Sequence, residues 1–238
     1  MIIRLTHPLI SCICITANRS ALLLKAIVYF DAQNYPNREL VISYPETDHT
    51  TRDLVQRVME NSDLRIVPVT RSGDISIGKA RNEAIAQSKG EFICTWDDDD
   101  WYHSFRLAHS YNLIINKANY CKASIFTGVT LFDSTTNLAF KSSIKNWDGT
   151  LLCQKDIVMR YPYNDNNYQE ATSLINYLES NKLLFKIPEH HYLYMFLFHG
   201  KNIMPYSTYL KFTEESQVVS NTERYYLHKL VEKQIDLL

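Results

Sequence analysis

The sequence predicts an α/β fold, a mostly parallel sheet flanked by helices, with a mixed second half. Three observations predict it. Apolar runs of strand length alternate with segments of helical period over the first hundred residues, the pattern of a parallel sheet covered by helices. An acidic tetrad, Asp97 to Asp100, follows the fourth such run, and open parallel sheets carry their ligands at the carboxyl ends of strands. After about residue 103 the alternation gives way to extended runs that face each other across a polar turn.

Taken in order, strands are expected near 10–16, 39–44, 65–69 and 92–96. Between them, helices near 20–33, 51–61 and 78–88 place apolar residues three and four apart, as in Leu23, Ile27 and Phe30 or Leu54, Val55, Val58 and Met59. Ser20 and Thr51 are the expected caps of the first two, and Gly90 closes the third. A helix to about 117 follows, then extended runs at 123–131 and 138–144 hinged on Asp133 to Asn137. A helix near 168–180, strands near 183–187 and 191–198, and an amphipathic helix from about 221 complete the chain. In that last helix Leu227, Leu230, Val231, Ile235 and Leu238 share a face, and Ser220 with Glu223 forms a capping box. Docking on the body is its expected role, with peripheral membrane or partner contact as the alternative.

Composition narrows the function classes. The chain has 238 residues, with 25 Lys and Arg against 26 Asp and Glu, a formal net charge of -1. That balance gives no basic field for a phosphate backbone, so nucleic acid is not an expected partner. The five cysteines form no CxxC pair and read as reduced, buried thiols of a cytoplasmic protein. Tyr192 to Phe198 is the longest apolar run, far short of the roughly 18 residues of a transmembrane helix. Arg4, His7 and Pro8 interrupt the N-terminal stretch, so no signal peptide is expected.

Four adjacent carboxylates repel one another by about 1 kcal/mol per close pair in water and about 4 near a protein surface. A hard divalent cation removes that repulsion, and an Asp-x-Asp pair on an extended segment suits Mg²⁺ or Mn²⁺ with positions left open for substrate phosphates. The alternative for the tetrad is a solvated acidic turn, with Asp100 capping the next helix. A second cluster, Gly78-Lys79-Ala80-Arg81-Asn82, opens the helix before that strand, and a helix start with Lys79 and Arg81 suits phosphate.

Ordered along the chain, these segments resemble family 2 glycosyltransferases. Ser11 to Asn18-Arg19 is similar to the family's first strand and its Thr-x-Asn-Arg turn, and Ala32 to Pro36 to the end of its first helix. Gly78 to Asn82, Gly90-Glu91-Phe92 and Asp97 to Trp101 carry the strongest likeness. The resemblance implies the GT-A type of fold, Rossmann-like, with 1–102 as the nucleotide-sugar-binding half, 103–219 as the acceptor-binding half and 220–238 as the C-terminal helix. It implies inverting transfer from a nucleotide-diphosphate sugar, UDP favoured, to a saccharide or glycolipid hydroxyl, in surface polysaccharide or glycolipid synthesis. Thr16, Asn18, Arg19, Arg81, Asp97 and Asp98 then lie on the nucleotide side, Asp99 and His199 hold Mn²⁺ or Mg²⁺, and Glu170 is the acceptor base.

One departure concerns the nucleotide base. The family's Asp after the second strand is missing where Val41-Ile42-Ser43 runs into Tyr44-Pro45-Glu46. Glu46 or Asp48 stands in for it, or Tyr44 stacks on the base, and nucleotides other than UDP become admissible. Two other readings compete: a degenerate module that only binds a sugar or a partner, and a P-loop NTPase built on Gly73 to Lys79, in which Ala80 replaces the required Ser or Thr.

Overall fold

The computed structural model describes residues 7–117, 120–188 and 190–233; Arg4, Ile235 and Leu238 lie outside them. The first half runs β1 (Ile10–Ile15), α1 (Ser20–Asp31), β2 (Arg38–Pro45), α2 (His49–Asn61), β3 (Ile66–Arg71), α3 (Ile77–Gln87) and β4 (Phe92–Thr95). It continues as β5 (Trp101–Tyr102), α4 (Arg106–Lys117), β6 (Ala123–Phe126), β7 (Thr130–Asp133), β8 (Leu138–Lys141), β9 (Trp147–Gln154) and α5 (Lys155–Arg160). The remainder is α6 (Thr172–Ser180), β10 (Leu184–Ile187), β11 (Tyr194–Phe198), α7 (Tyr206–Glu214), β12 (Gln217–Val218) and α8 (Asn221–Lys233).

Two sheets result. The larger has the order β10-β6-β9-β4-β1-β2-β3 and the smaller β12-β8-β7-β11-β5. Within the larger sheet β4, β1, β2 and β3 are parallel, whereas β9 runs antiparallel to both β4 and β6. Side chains of β1 and β2 alternate between two cores. Cys12, Cys14, Leu40 and Ile42 face α1 residues Leu23, Ile27 and Phe30, while Ile13 and Val41 face Ala84, Leu174 and Leu178 of α3 and α6. Burial on both faces explains why these strands read as continuous apolar runs. Each fully buried Leu or Ile contributes about 1.5–3 kcal/mol.

Several expectations are corrected in detail. The cap of α2 is Asp48, whose carboxylate accepts from the Thr51 amide at 3.0 Å; Thr51 itself lies buried inside the helix. Ser20 is already helical, and α1 begins without a side-chain cap. Helix α3 ends at Ser88, and the Gly90 amide donates to Ser11 Oγ at 2.8 Å. The run at 123–131 is two strands, β6 in the larger sheet and β7 in the smaller. Strand β9 and helices α5 and α7 were not expected. At the far end, Ser220 and Glu223 form the capping box, the Glu223 amide donating to Ser220 Oγ at 3.2 Å. Leu227 and Val231 pack on the body, but Leu230, expected on the same face, is exposed.

The tetrad sits on a packed aromatic floor. Trp96 stacks on Tyr102 at 3.9 Å, and the buried Arg106 guanidinium lies over both rings and over Tyr194. Arg106 also donates to the Gly149 carbonyl at 3.0 Å. Gly149 is required by this approach, since a Cβ there would stand 2.5 Å from the Tyr194 hydroxyl and 3.2 Å from Asp97 Oδ2. Overpacking of this kind costs about 1–3 kcal/mol. Gly149→Ala is expected to lower Tm by several degrees, at about 2–4 °C per kcal/mol for a chain of this size. Calorimetric melting checks this, and an unchanged midpoint would show that β9 yields without loss.

Candidate active site

The carboxyl ends of β1 and β4, the start of β9, the loop before α6 and the start of α7 enclose one cavity of about 630 Å³. The acidic tetrad forms its base, and each member has its own partner. Asp97 meets Arg81 Nη2 at 3.3 Å. Asp98 accepts from Thr16 Oγ1 at 2.6 Å and lies 3.4 Å from Arg19 Nη1. Asp99 Oδ2 is approached by Arg19 Nη1 at 2.9 Å, His199 Nε2 at 3.2 Å and Asn202 Nδ2 at 3.5 Å. Asp100 accepts from the Leu197 amide at 3.0 Å and from the Tyr194 hydroxyl. The expected helix cap is therefore a clamp: Asp100 ties the strand end to β11, because Trp101-Tyr102 continues as a strand before α4 begins.

Burial and mutual repulsion raise these acids. Desolvation, with the charge of Asp99 adding to it, pushes Asp98 up to about 7. Asp97, open to the cavity on one side, is pushed up to about 6 by desolvation against the opposing pull of Arg81. Asp100 stands well above the usual carboxylate range for want of solvent, and Asp99 and Asp97 reinforce the shift.

Arg81 and Glu170 complete the base. Arg81 is buried and bridges Asp97 and Glu170 Oε1, the latter at 3.1 Å, with its guanidinium over the Tyr163 ring. Glu170 lies in the loop just before α6, beside Gln169 with its left-handed φ of 56°. Thr16, Arg19, Arg81, Asp97, Asp98, Asp99 and Glu170 thus share one cavity. His199 reaches it through Asp99 without lining it. Asn18 and Glu46 lie outside the lining; Asn18 donates its amide to Asp48 Oδ2 at 2.5 Å, and Glu46 is exposed. Tyr44 is buried away from the cavity. Tyr168 and Tyr194 line the cavity, whereas Tyr161 stacks on Tyr177.

The start of α3 does not offer free amides. Ile77 N donates to Asn167 Oδ1 at 2.9 Å, Gly78 N to the Asn166 carbonyl at 3.0 Å and Lys79 N to Ser76 Oγ at 3.1 Å. The loop packs so closely that a Cβ at Gly78 would fall 1.8 Å from the Asn164 carbonyl oxygen. Gly78 therefore seats the loop that carries Glu170. The same contacts remove the P-loop reading, and β3, which precedes that segment, is an edge strand.

Some cavity residues had no sequence signal. Asp148 enters with Gly149, a pair that reads locally as a turn, and its carboxyl is raised by desolvation and by Glu170. Lys145 lies over the Phe212 and Trp147 rings and is pushed down to about 8 by burial. Arg71, which donates to the Thr16 carbonyl at 2.9 Å, could have been found by its place at the end of the third strand.

The family model for glycosyl transferase family 2 matches residues 11–129, from β1 through the tetrad to the loop before β7. The chain belongs to glycosyl transferase family 2. Over 153 residues it is 28% identical to the Campylobacter jejuni GalNAc(5)-diNAcBac-PP-undecaprenol beta-1,3-glucosyltransferase, covering 64% of this chain and 48% of that one. The chain spans about half the length of the curated relatives it matches. Among solved structures, a Pyrobaculum calidifontis mannosyltransferase in complex with GDP-Man and Mn²⁺ superposes with a TM-score of 0.64 at 14% identity, covering 86% of this family 2 chain and 60% of that chain. S. aureus TarS in complex with UDP-GlcNAc gives 0.62 at 13% identity, covering 95% and 66%. The fold is the GT-A fold. Among the described residues no group of three or more His, Cys, Asp or Glu is placed to hold an ion, and no helix is long and apolar enough to cross a membrane.

A carboxylate whose folded pKa exceeds its unfolded value of about 3.9 makes the folded protein bind extra protons between the two values, so its stability falls as pH rises through that window. For Asp98 the window runs from about 4 to about 7. Asp98→Asn is expected to gain in Tm relative to the wild type as pH rises from 4.5 to 7.5. A gap that does not change with pH would show that Asp98 ionises normally.

Proposed function

We propose that the protein transfers a sugar, with inversion, from a nucleotide-diphosphate sugar to a hydroxyl of a saccharide or glycolipid acceptor. The observation that carries this reading is the convergence of Thr16, Arg19, Arg81, Asp97, Asp98, Asp99 and Glu170 on one cavity at the carboxyl end of the parallel strands. Family membership supports the reaction class. A UDP-sugar is the favoured donor, supported by the TarS complex, while the GDP-Man complex and the missing Asp after β2 keep GDP-sugars in the test. A role in glycolipid or surface polysaccharide synthesis is supported by the name of the Campylobacter relative. The free cysteines, four of the five buried, fit a cytoplasmic, reducing setting.

Asp99 Oδ2 and His199 Nε2 lie 3.2 Å apart and offer a carboxylate oxygen, which Mn²⁺ and Mg²⁺ both take, and an imidazole nitrogen, which favours the transition ion Mn²⁺ over Mg²⁺. Asp99 and His199 would hold the cation. When bound, it supplies neutralisation of the charge that develops on the leaving diphosphate.

The chain's own residues do the rest. Arg81 keeps Asp97 and Glu170 in place beneath the donor, and Thr16 fixes Asp98. Arg81 contacts Glu170 through Oε1, which leaves Oε2 for the acceptor. As the acceptor oxygen bonds to the anomeric carbon, its proton passes to Glu170, and the anomeric carbon–phosphate oxygen bond breaks with its electron pair going to the diphosphate. A catalytically degenerate module that only binds a sugar or partner is the second reading, favoured by the missing Asp after β2.

Calorimetric titration with UDP, GDP and dTDP, with and without Mn²⁺, tests the donor site. Binding of one nucleotide that needs Mn²⁺ and is lost in Asp99→Ala is expected, and absence of binding to all of them would overturn the reading. Glu170→Gln is expected to retain nucleotide binding while its turnover falls by about 10² or more. Retained turnover would remove Glu170 as the base and, with binding intact, leave the donor site standing.

A further inference from the structure

We infer that Arg19 couples the cation to the donor diphosphate, and that Asp98 is the anchor that keeps it in position to do so. The inference rests on the donor-site reading above. Asp99 Oδ2, the oxygen assigned to the cation, is the same oxygen that Arg19 Nη1 contacts at 2.9 Å. A divalent cation binds such an oxygen at about 2.0–2.6 Å, and a guanidinium on the same atom would set like charges side by side. A cation on Asp99 Oδ2 therefore requires Arg19 to leave that oxygen.

Where Arg19 goes is set by Asp98. This carboxylate is buried, fixed through Oδ2 by Thr16 Oγ1 at 2.6 Å, and presents Oδ1 to Arg19 Nη1 at 3.4 Å. Asp98 keeps the guanidinium at the cavity wall when its bond to Asp99 is lost. Arg19 itself lines the cavity and is only partly buried, so its side chain has room to turn. A diphosphate placed there offers the paired oxygens that a planar guanidinium binds best.

Each ligand thereby removes the obstacle to the other. The cation alone must strip Arg19 of a carboxylate and give it nothing in return. The diphosphate alone meets an Arg19 already engaged and a tetrad of acids. Together, the cation takes Asp99 and the diphosphate takes Arg19. Such coupling is reciprocal: the nucleotide tightens the cation by the same factor as the cation tightens the nucleotide.

The test measures Mn²⁺ affinity from the electron paramagnetic resonance of free Mn²⁺, without nucleotide and with saturating UDP or whichever diphosphate the calorimetry selects. In the wild type the nucleotide is expected to tighten Mn²⁺ about tenfold or more. In Arg19→Gln, Mn²⁺ alone is expected to bind about tenfold tighter than in the wild type, and the nucleotide to tighten it by a smaller factor than in the wild type. Asp98→Asn keeps the charge of Arg19 but weakens its anchor, and is expected to shrink the coupling without abolishing nucleotide binding. Melting curves establish that each variant is folded, and Arg19→Met serves if Arg19→Gln is not. An Arg19 variant that leaves the affinity for Mn²⁺ alone unchanged or weaker, in a protein that still binds Mn²⁺ and nucleotide together, overturns the coupling and leaves the donor site standing. Failure of the wild type to bind either ligand overturns both.

Discussion

Four carboxylates in a row can end a buried strand only if each finds a different partner, and most of the architecture around the cavity follows from that constraint. At about 1–4 kcal/mol of repulsion per close pair, an unshared tetrad would cost a large part of the stability of an ordinary domain. Here Asp97 is met from α3 by Arg81, Asp98 from the end of β1 by Thr16, Asp99 from the start of α1 by Arg19, and Asp100 from β11 by Tyr194 and the Leu197 amide. The smaller sheet is bound to the larger at this place, since β5 leaves the tetrad directly and pairs with β11. His199 and Asn202 follow β11 and so arrive at Asp99 by the same pairing.

How much of this could be read from the sequence depends on how local the cause is. Strands β1 to β4 and helices α1 to α3 follow from periodicity, because a strand buried on both faces and an amphipathic helix each leave a pattern within a dozen residues. Caps were less legible, since Asp48, Thr51 and Ser20 are all competent residue types and only the chain's path chooses among them. In the second half the determining contacts are distant. Residues 123–131 look like one strand, yet Phe126 ends one sheet's strand and Thr130 begins the other's. Leu151-Leu152-Cys153 is too short an apolar run to declare β9, and Gly149, which interrupts it, is there because of Tyr194 and Asp97.

The same distinction divides the candidate site. Asp97, Asp98 and Asp99 were legible as charges stacked at a strand end, and Glu170 and His199 through family resemblance. Asp148 and Lys145 carry no local mark, because their place in the cavity comes from the pairing of β9 with β4. The basic helix start around Gly78 gave a false local signal. Its glycine and free-looking amides suggested an anion, but the amides are satisfied by residues 166 and 167 and by Ser76. That substitution connects α3 to the loop before α6, so Arg81 and Glu170, 89 residues apart in sequence, are held as one unit.

The walls of the cavity have separate origins. One is the rigid carboxyl edge of the parallel strands with its aromatic floor. The other is assembled from Lys145 to Gly149, Asn202 to Met204, Thr208 and Phe212, segments joined to the body by β9, β11 and the packing of α7. Of the second wall, Gly149 and Asn202 touch the tetrad and are bound to it, whereas Lys145, Ile203, Met204, Thr208 and Phe212 can shift without removing any of its counter-ions. The floor is thus fixed by the folding of the whole chain, whereas part of the facing wall can change shape without unseating it.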